Sequence, residues 1–437
     1  MTSVVGFVEL GSHMTPIPRL LRVRQEFPHP PPLDRLGTLS KEFQKLRPRI
    51  QPGARIAVGV GSRGIANLAA IVSALLGLLR DAGARPFILP AMGSHGGATP
   101  EGQIGLLAGY GITEQSMGVP VLGSLDVRQV GATAHGAPVW CSVEALGADG
   151  ILVVNRIKPH TDFFGALGSG LIKMCVIGLG KHAGALAMHR AASRWGHEPV
   201  IREMASVVLE KAPVLGGIAI LENQHHETAR LVAVPREALE SAEDQLLQEA
   251  RAMMPLLPFD EIDLLILDTI GKNISGAGMD PNVVGRGVQG YSSALMREGR
   301  PSPFIRRIFV REITPESHGN AIGIGLADVT TTRLVRSMDA SVTNINALTA
   351  LTHQCAKVPI HFDTDREAIE RILNTLAIDN TAQARIVRIR DTLSTADMEV
   401  SESLLPAISG RPGMVILSDA CDVAFDNEGN LPPLIVD

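Results

Sequence analysis

Residues 54–90 constrain the fold more than any other stretch of the chain. Ile56-Ala57-Val58-Gly59-Val60 is a short apolar run, as a buried strand requires, and it ends in Gly61-Ser62-Arg63-Gly64. Ile65, Leu68, Ala69, Val72, Leu75, Leu76 and Leu79 then recur at helical spacing. Gly83 supplies the stop, and Pro86-Phe87-Ile88-Leu89-Pro90 reads as a second strand. Two such strands joined through a helix run parallel, so a parallel sheet with covering helices is expected.

The pattern recurs along the chain. Ile151–Val154 is another buried strand followed by a Gly-rich run, and residues 236–254 form a charged amphipathic helix ending at Pro255 and Pro258. Ile262–Asp268 opens a second series, with later runs at Ile308–Val310, Ala321–Ala327 and Met414–Leu417. The expected architecture is therefore two α/β domains with mostly parallel sheets, at 1–256 and 257–437. A length of 437 residues suits two domains. The active site is expected in the cleft between them, since pockets favour domain interfaces.

Composition removes several function classes. Forty Lys and Arg against 45 Asp and Glu give a net charge of −5, which offers no electrostatic footprint for nucleic acid or an anionic membrane. Aromatic residues are only 3% of the chain, too few for base-stacking platforms. Four scattered cysteines fit a reducing compartment and rule out a Cys-rich zinc site. Uncharged stretches such as Gly64–Leu79 fall short of the ~20 residues that span a bilayer, and a cytoplasmic location is expected. Gly11-Ser12-His13-Met14 resembles the remnant of an expression tag, which leaves Met1 and Met14 both open as the natural start.

Chemistry gathers in the loops that follow strands, where open parallel sheets bind ligands. Gly61-Ser62-Arg63-Gly64 offers backbone amides to an anion and an arginine for two-pronged grip on a carboxylate; a plain turn with an exposed arginine is the alternative. Met92-Gly93-Ser94-His95-Gly96-Gly97 sets a histidine among residues too small to bury it, with Thr99 placed to cap the next helix. A surface histidine in a loop reads equally well there. Lys158-Pro159-His160 follows the third strand, and Lys173 stands in the apolar run Gly168-Ser169-Gly170-Leu171-Ile172-Lys173. A lysine desolvated there would lose basicity and become nucleophilic, unless it snorkels from a helix. His182 and His189 lie on or beside a helix over 183–192, at a spacing unlike a protein-only zinc motif.

Taken in order, these loops resemble the lactate racemase family, the nickel-pincer-nucleotide enzymes of 2-hydroxy acids. Ser62-Arg63 stands where the family has Thr-Arg, Gly93-Ser94-His95 where it has Gly-Thr-His, and Lys158-Pro159-His160 where it has Glu-Pro-His. Ser169-Gly170-Leu171-Ile172-Lys173 matches Ser-Gly-Gly-x-Lys, with His189 at the family's sixteen-residue offset from the lysine. The resemblance implies an isomerase, a racemase or epimerase that removes hydride from a 2-hydroxy acid and returns it through the nickel-pincer nucleotide. It implies His189 as the nickel ligand, with Lys173, Ser62, Gly64, Ser94, Ser169 and Gly170 against the cofactor. His95 and His160 become the proton-transfer pair, and Arg63 holds the substrate carboxylate.

Departures from the family point away from lactate as substrate. The interval from His160 to Lys173 is three residues longer, Lys158 replaces a glutamate, and Val60 replaces an aspartate. The second domain lacks a tryptophan, and its loop 271–286 offers Lys272, Asp280, Asn282 and Arg286 to a different substrate. Two other readings stand beside this one: a metal-assisted hydrolase or lyase using His95, His160 and His189 as direct ligands, and a non-catalytic nucleotide-binding protein.

Overall fold

The computed structural model describes residues 16–61, 64–161, 163, 165–288 and 303–434. The chain forms two compact α/β units. One comprises Pro28–Pro255 with Thr349–Leu351, and the other takes the segment up to Phe27 and most of the chain from Leu256 onward. The N-terminal segment thus departs from the expected grouping of 1–256. Its strand β1 (Leu20–Gln25) pairs antiparallel with residues 397–401 and 414–416, nearly the whole chain length away.

In the N-terminal unit, β2 (Arg55–Val60), β3 (Arg85–Pro90), β6 (Gly150–Arg156), β7 (Val214–Glu222) and β8 (Thr228–Pro235) form a sheet in the order β3-β2-β6-β7-β8. The first four are parallel and β8 is antiparallel. A separate hairpin, β4 (Val127–Ala132) and β5 (Pro138–Ser142), covers part of the helical layer. The helix Leu68–Asp81 carries the predicted apolar stripe into the core, and Gly83 ends it at φ +82, a conformation that favours glycine. The chain leaves β2 toward β3 on one side, and leaves β6 toward β7 on the other. The crevice of such a sheet opens where these directions diverge, between β2 and β6.

A continuous helical stretch, Leu171–Trp195, follows β6. It opens as an α-turn, passes through a π-helical segment at Met174–Gly178, and continues as α-helix from Leu179. Lys181 interrupts it at φ 55, ψ −152. By length and composition this stretch is long and apolar enough to cross a membrane, and 67% of its apolar window is buried within the protein. Lys173 and Lys181 lie inside it, so it does not read as an uncharged run in the sequence. Here its apolar side packs on β5 and on the helix His197–Lys211.

The C-terminal unit is built on an eight-stranded sheet. Its strands besides β1 are β9 (Glu261–Ile270), β10 (Phe304–Ile313), β11 (Val329–Thr331), β12 (Ile360–Phe362), β13 (Ile386–Ile389), β14 (Asp397–Ser401) and β15 (Met414–Ile416), in the order β12-β11-β10-β9-β13-β14-β1-β15. Five are parallel, and β14, β1 and β15 add antiparallel pairings. The run Ala321–Ala327, expected as a strand, is instead a turn with a short 3-10 segment at Ile324–Leu326. Gly323 sits there at φ +98, and a Cβ on it would stand 1.7 Å from the Ala277 carbonyl oxygen.

Charge at the centre of this unit is paired. Arg388, 1% exposed, donates two bonds to Asp268 and one to Glu399, and Arg311 bridges Asp268 and Asp365. Arg333 completes the set on Asp365 at 2.6 Å. The carbonyls of Leu431 and Pro432 accept from Arg311 and Arg388, so the tail is tied into the same lattice.

Candidate functional site

The loops after β2, β3 and β6 emerge at one end of the parallel strands, as the strand order requires. Each is held by specific contacts. On the β3 loop, Gly93 adopts φ +61 and packs so closely that a Cβ would meet the Ile177 side chain at 2.7 Å. The fully buried Gln103 donates to the carbonyls of Gly93 and His95, at 2.9 and 3.3 Å, and so fixes the turn that carries Ser94 and His95. Thr99 caps the following helix through the Gly102 amide, as its place before Pro100 predicts.

The β6 loop folds back on itself. Lys158 and Ser169 exchange backbone hydrogen bonds of 2.9 and 2.8 Å. A Cβ on Gly168 would stand 2.4 Å from the Lys158 carbonyl oxygen, so a larger residue would prevent this closure. The closure brings His160, 5% exposed, onto the first turn of the long helix, where Nζ of Lys173 lies 2.5 Å from its Nε2. A single proton serves that contact: if the lysine holds it, the imidazole is a neutral base.

Rings extend from this pair. His160 stacks on Phe163 with centroids 4.4 Å apart, and Phe163 stacks on His197 at 5.2 Å. His197 meets the edge of His189 at 6.3 Å. His160, Lys173 and His189, singled out from the sequence, therefore belong to one cluster. Sequence reasoning missed Phe163 and His197. His197 follows Gly196, which at φ 84 and ψ 156 separates the helix ending at Trp195 from the helix His197–Lys211. No periodicity crosses such a break.

Carboxylates from distant parts of the chain reach the backbone beside two of these loops. Glu222, at the end of β7, accepts from the Ala66 amide at 2.7 Å and pairs with Arg156, which also donates to the Gly64 carbonyl. Glu243, 1% exposed, accepts from the Ile172 amide at 2.8 Å and lies against Gly170, whose Cβ would fall 2.3 Å from Oε1. Burial pushes the Glu243 carboxyl up to about 8, against the opposing pull of the Ile172 and Leu171 amides. The Ser169–Gly170 turn thus faces a carboxyl group. Ser62 and Arg63 lie outside the described residues.

Lys181 adds a second isolated charge. It is 0% exposed, and its Nζ donates to the Pro90 carbonyl at 2.5 Å, at the root of the β3 loop. Burial pulls it down to about 8, partly offset by Glu144 and Cys141.

The second-domain candidates sit in the other unit. Lys272, after β9, donates from Nζ to the Gly276 carbonyl at 2.9 Å. Asp280 caps the turn Pro281–Val284 through the Asn282 amide and also accepts from the Asn282 side chain. Arg286 donates to the carbonyls of Leu326 and Arg306 and to Asp328 at 2.6 Å, which ties it into its own unit.

No protein-family model matches the chain, and no curated protein matches it in sequence. Among solved structures, the lactate racemase apoprotein from Thermoanaerobacterium thermosaccharolyticum aligns with a TM-score of 0.53 and 14% identity, over 86% of this chain and 99% of that one. The chain has the lactate racemase fold. A protein from Thermotoga maritima aligns at a TM-score of 0.46 and 15% identity, over 65% of this chain and 72% of its own, too loosely to carry an argument.

Among the described residues, no group of three or more His, Cys, Asp or Glu side chains is arranged to hold a metal ion unaided. The nickel-pincer nucleotide implied by the sequence resemblance would bring most of the metal's donors with it. The cluster fits that demand in kind: imidazole nitrogens suit Ni(II), and His189 lies within the same set of contacts as Lys173.

Proposed function

We propose that this protein is an isomerase that inverts the carbinol carbon of a 2-hydroxy acid other than lactate, working with a nickel-pincer nucleotide. The observation that supports this most is the Lys173–His160 contact, backed by His197 and His189, beside the divergence point of the sheet. In this reading His189 ligates the nickel and Lys173 engages the organic part of the cofactor. Bound, the cofactor supplies an acceptor for the α-hydrogen as hydride.

The chain's own residues do the rest. His160 takes the hydroxyl proton of one enantiomer at Nε2, and His95 serves the other. Phe163, stacked on His160, fixes the plane of that ring and keeps water from one of its faces. Gln103 keeps the His95 turn in place through two carbonyls. Arg63 holds the substrate carboxylate.

The test uses protein produced in cells that make the cofactor and a panel of α-deuterated 2-hydroxy acids. Inversion with deuterium retained at the α-carbon is expected; solvent hydrogen at that carbon rules out hydride return. His160→Gln and His95→Gln should stop turnover while nickel stays bound. His189→Ala should lose nickel, and full metal content in that variant overturns the ligand assignment.

A further inference from the structure

We propose that the N-terminal unit carries a second small-molecule site, for a planar aromatic anion, between the β4–β5 hairpin and the helix Leu179–Trp195. It stands apart from the reaction proposed above. The chain has only two tryptophans, Trp140 on β5 and Trp195 at the helix end, and both line one cavity of about 630 Å3. That volume falls in the range of small-molecule sites.

The walls are built for a flat, negatively charged guest. Ala183, Ala187 and Ala191 recur every four residues along the helix and keep the floor low. The hairpin can lie this close because position 180 is glycine: a Cβ there would stand 3.1 Å from the Trp140 carbonyl oxygen. At the cavity's edge the Trp195 indole stacks on His135, centroids 4.7 Å apart and planes 10° from parallel, which sets a flat aromatic wall.

Charge decides the sign of the guest. Arg190 and Arg194 line the cavity one helical turn apart, both exposed. Neither guanidinium makes an ion pair or side-chain hydrogen bond among the described residues, unlike Arg202 nearby, which holds three carboxylates. No acidic residue lines the cavity, although the chain as a whole carries −5. Two unpaired guanidiniums beside an apolar, aromatic floor match a carboxylate or phosphate attached to an aromatic ring. His189 is not among the lining residues, so this site is separate from the ring cluster.

The two tryptophans make the test direct, since all indole fluorescence reports from this cavity. Phenylacetate is the probe, 2-phenylethanol its uncharged counterpart, and acetate the anion without a ring. A saturable fluorescence change is expected with phenylacetate and none with acetate. The double substitution Arg190→Gln, Arg194→Gln changes exposed side chains only, and near-ultraviolet circular dichroism checks that the fold is kept. It should weaken phenylacetate at least ~10-fold, the scale of one charge-assisted hydrogen bond, and leave 2-phenylethanol unchanged. No saturable change with phenylacetate overturns the proposal, as does equal binding of 2-phenylethanol or undiminished binding by the double variant.

Discussion

In the C-terminal unit, Arg388 and Arg311 are buried against Asp268, Asp365 and Glu399, each charge bonded to its opposite. In the N-terminal unit, Lys181 and Glu243 are buried as deeply, but their bonds go to neutral backbone groups, the Pro90 carbonyl and the Ile172 amide. A paired lattice is a strut whose loss is felt as instability. An isolated buried charge is instead a group drawn toward neutrality, and both of these titrate near 8. Both also sit at the roots of the loops that carry His95 and Lys173. Buried charge in one unit holds structure, and in the other it makes the site's supports responsive to pH.

The largest effect that separates the two regimes should come from Arg388→Met. It strips Asp268 and Glu399 of a partner in a buried setting, and about 3–5 kcal/mol of unfolding free energy should be lost in denaturant titration. A loss below about 1 kcal/mol would mean the lattice is ornamental and would dissolve the contrast.

Glu243→Gln comes next. Below about 4.5 both folded and unfolded chains hold the Glu243 proton; between there and about 8 only the unfolded chain releases it. Stability should therefore fall by several kcal/mol as pH rises through that window and level off above it. Gln keeps an acceptor for the Ile172 amide and should flatten this slope in unfolding measured across pH. An unchanged slope would show that Glu243 is ionised in the fold.

Lys181→Met should act with the opposite sign. Between about 8 and about 10.5 the folded chain has shed a proton that the unfolded chain keeps, so stability rises with pH there and is lost as pH falls through 8. The substitution should remove that rise, on the order of 3 kcal/mol, as read by thermal unfolding in alkaline buffers. The smallest effect belongs to Arg19→Ala, which breaks an exposed pair with Glu402 and should leave stability unchanged within error.

How much of this was legible in the sequence depends on the range of the interaction. β2, β3 and β6 with their loops are local patterns, and the structure extends each by one to three residues. The Lys173–His189 interval is likewise local. What escaped reading is set by distant partners. β1 joins the C-terminal sheet through antiparallel pairs with residues more than three hundred positions away, and no composition shift marks it. Glu222 and Glu243 look like ordinary charged residues until the fold delivers them to amides at 66 and 172. Arg286 and Asp280 had the side chains of substrate readers, yet a turn and a carbonyl cluster claim them. The candidates that held together as a cluster, His160, Lys173 and His189, lie among stacked rings and a tightly closed loop.

The interrupted helix has a consequence for the timing of side chains along a rod. Sixteen residues separate Lys173 from His189, and on an unbroken α-helix, at about 100° per residue, they would point about 160° apart. The π-helical segment at Met174–Gly178 and the backward step at Lys181 change that phase, so one rigid shaft can present both groups to a common neighbour. Rewinding Met174–Gly178 as plain α-helix without changing its length should turn His189 by roughly 90° about the axis relative to Lys173.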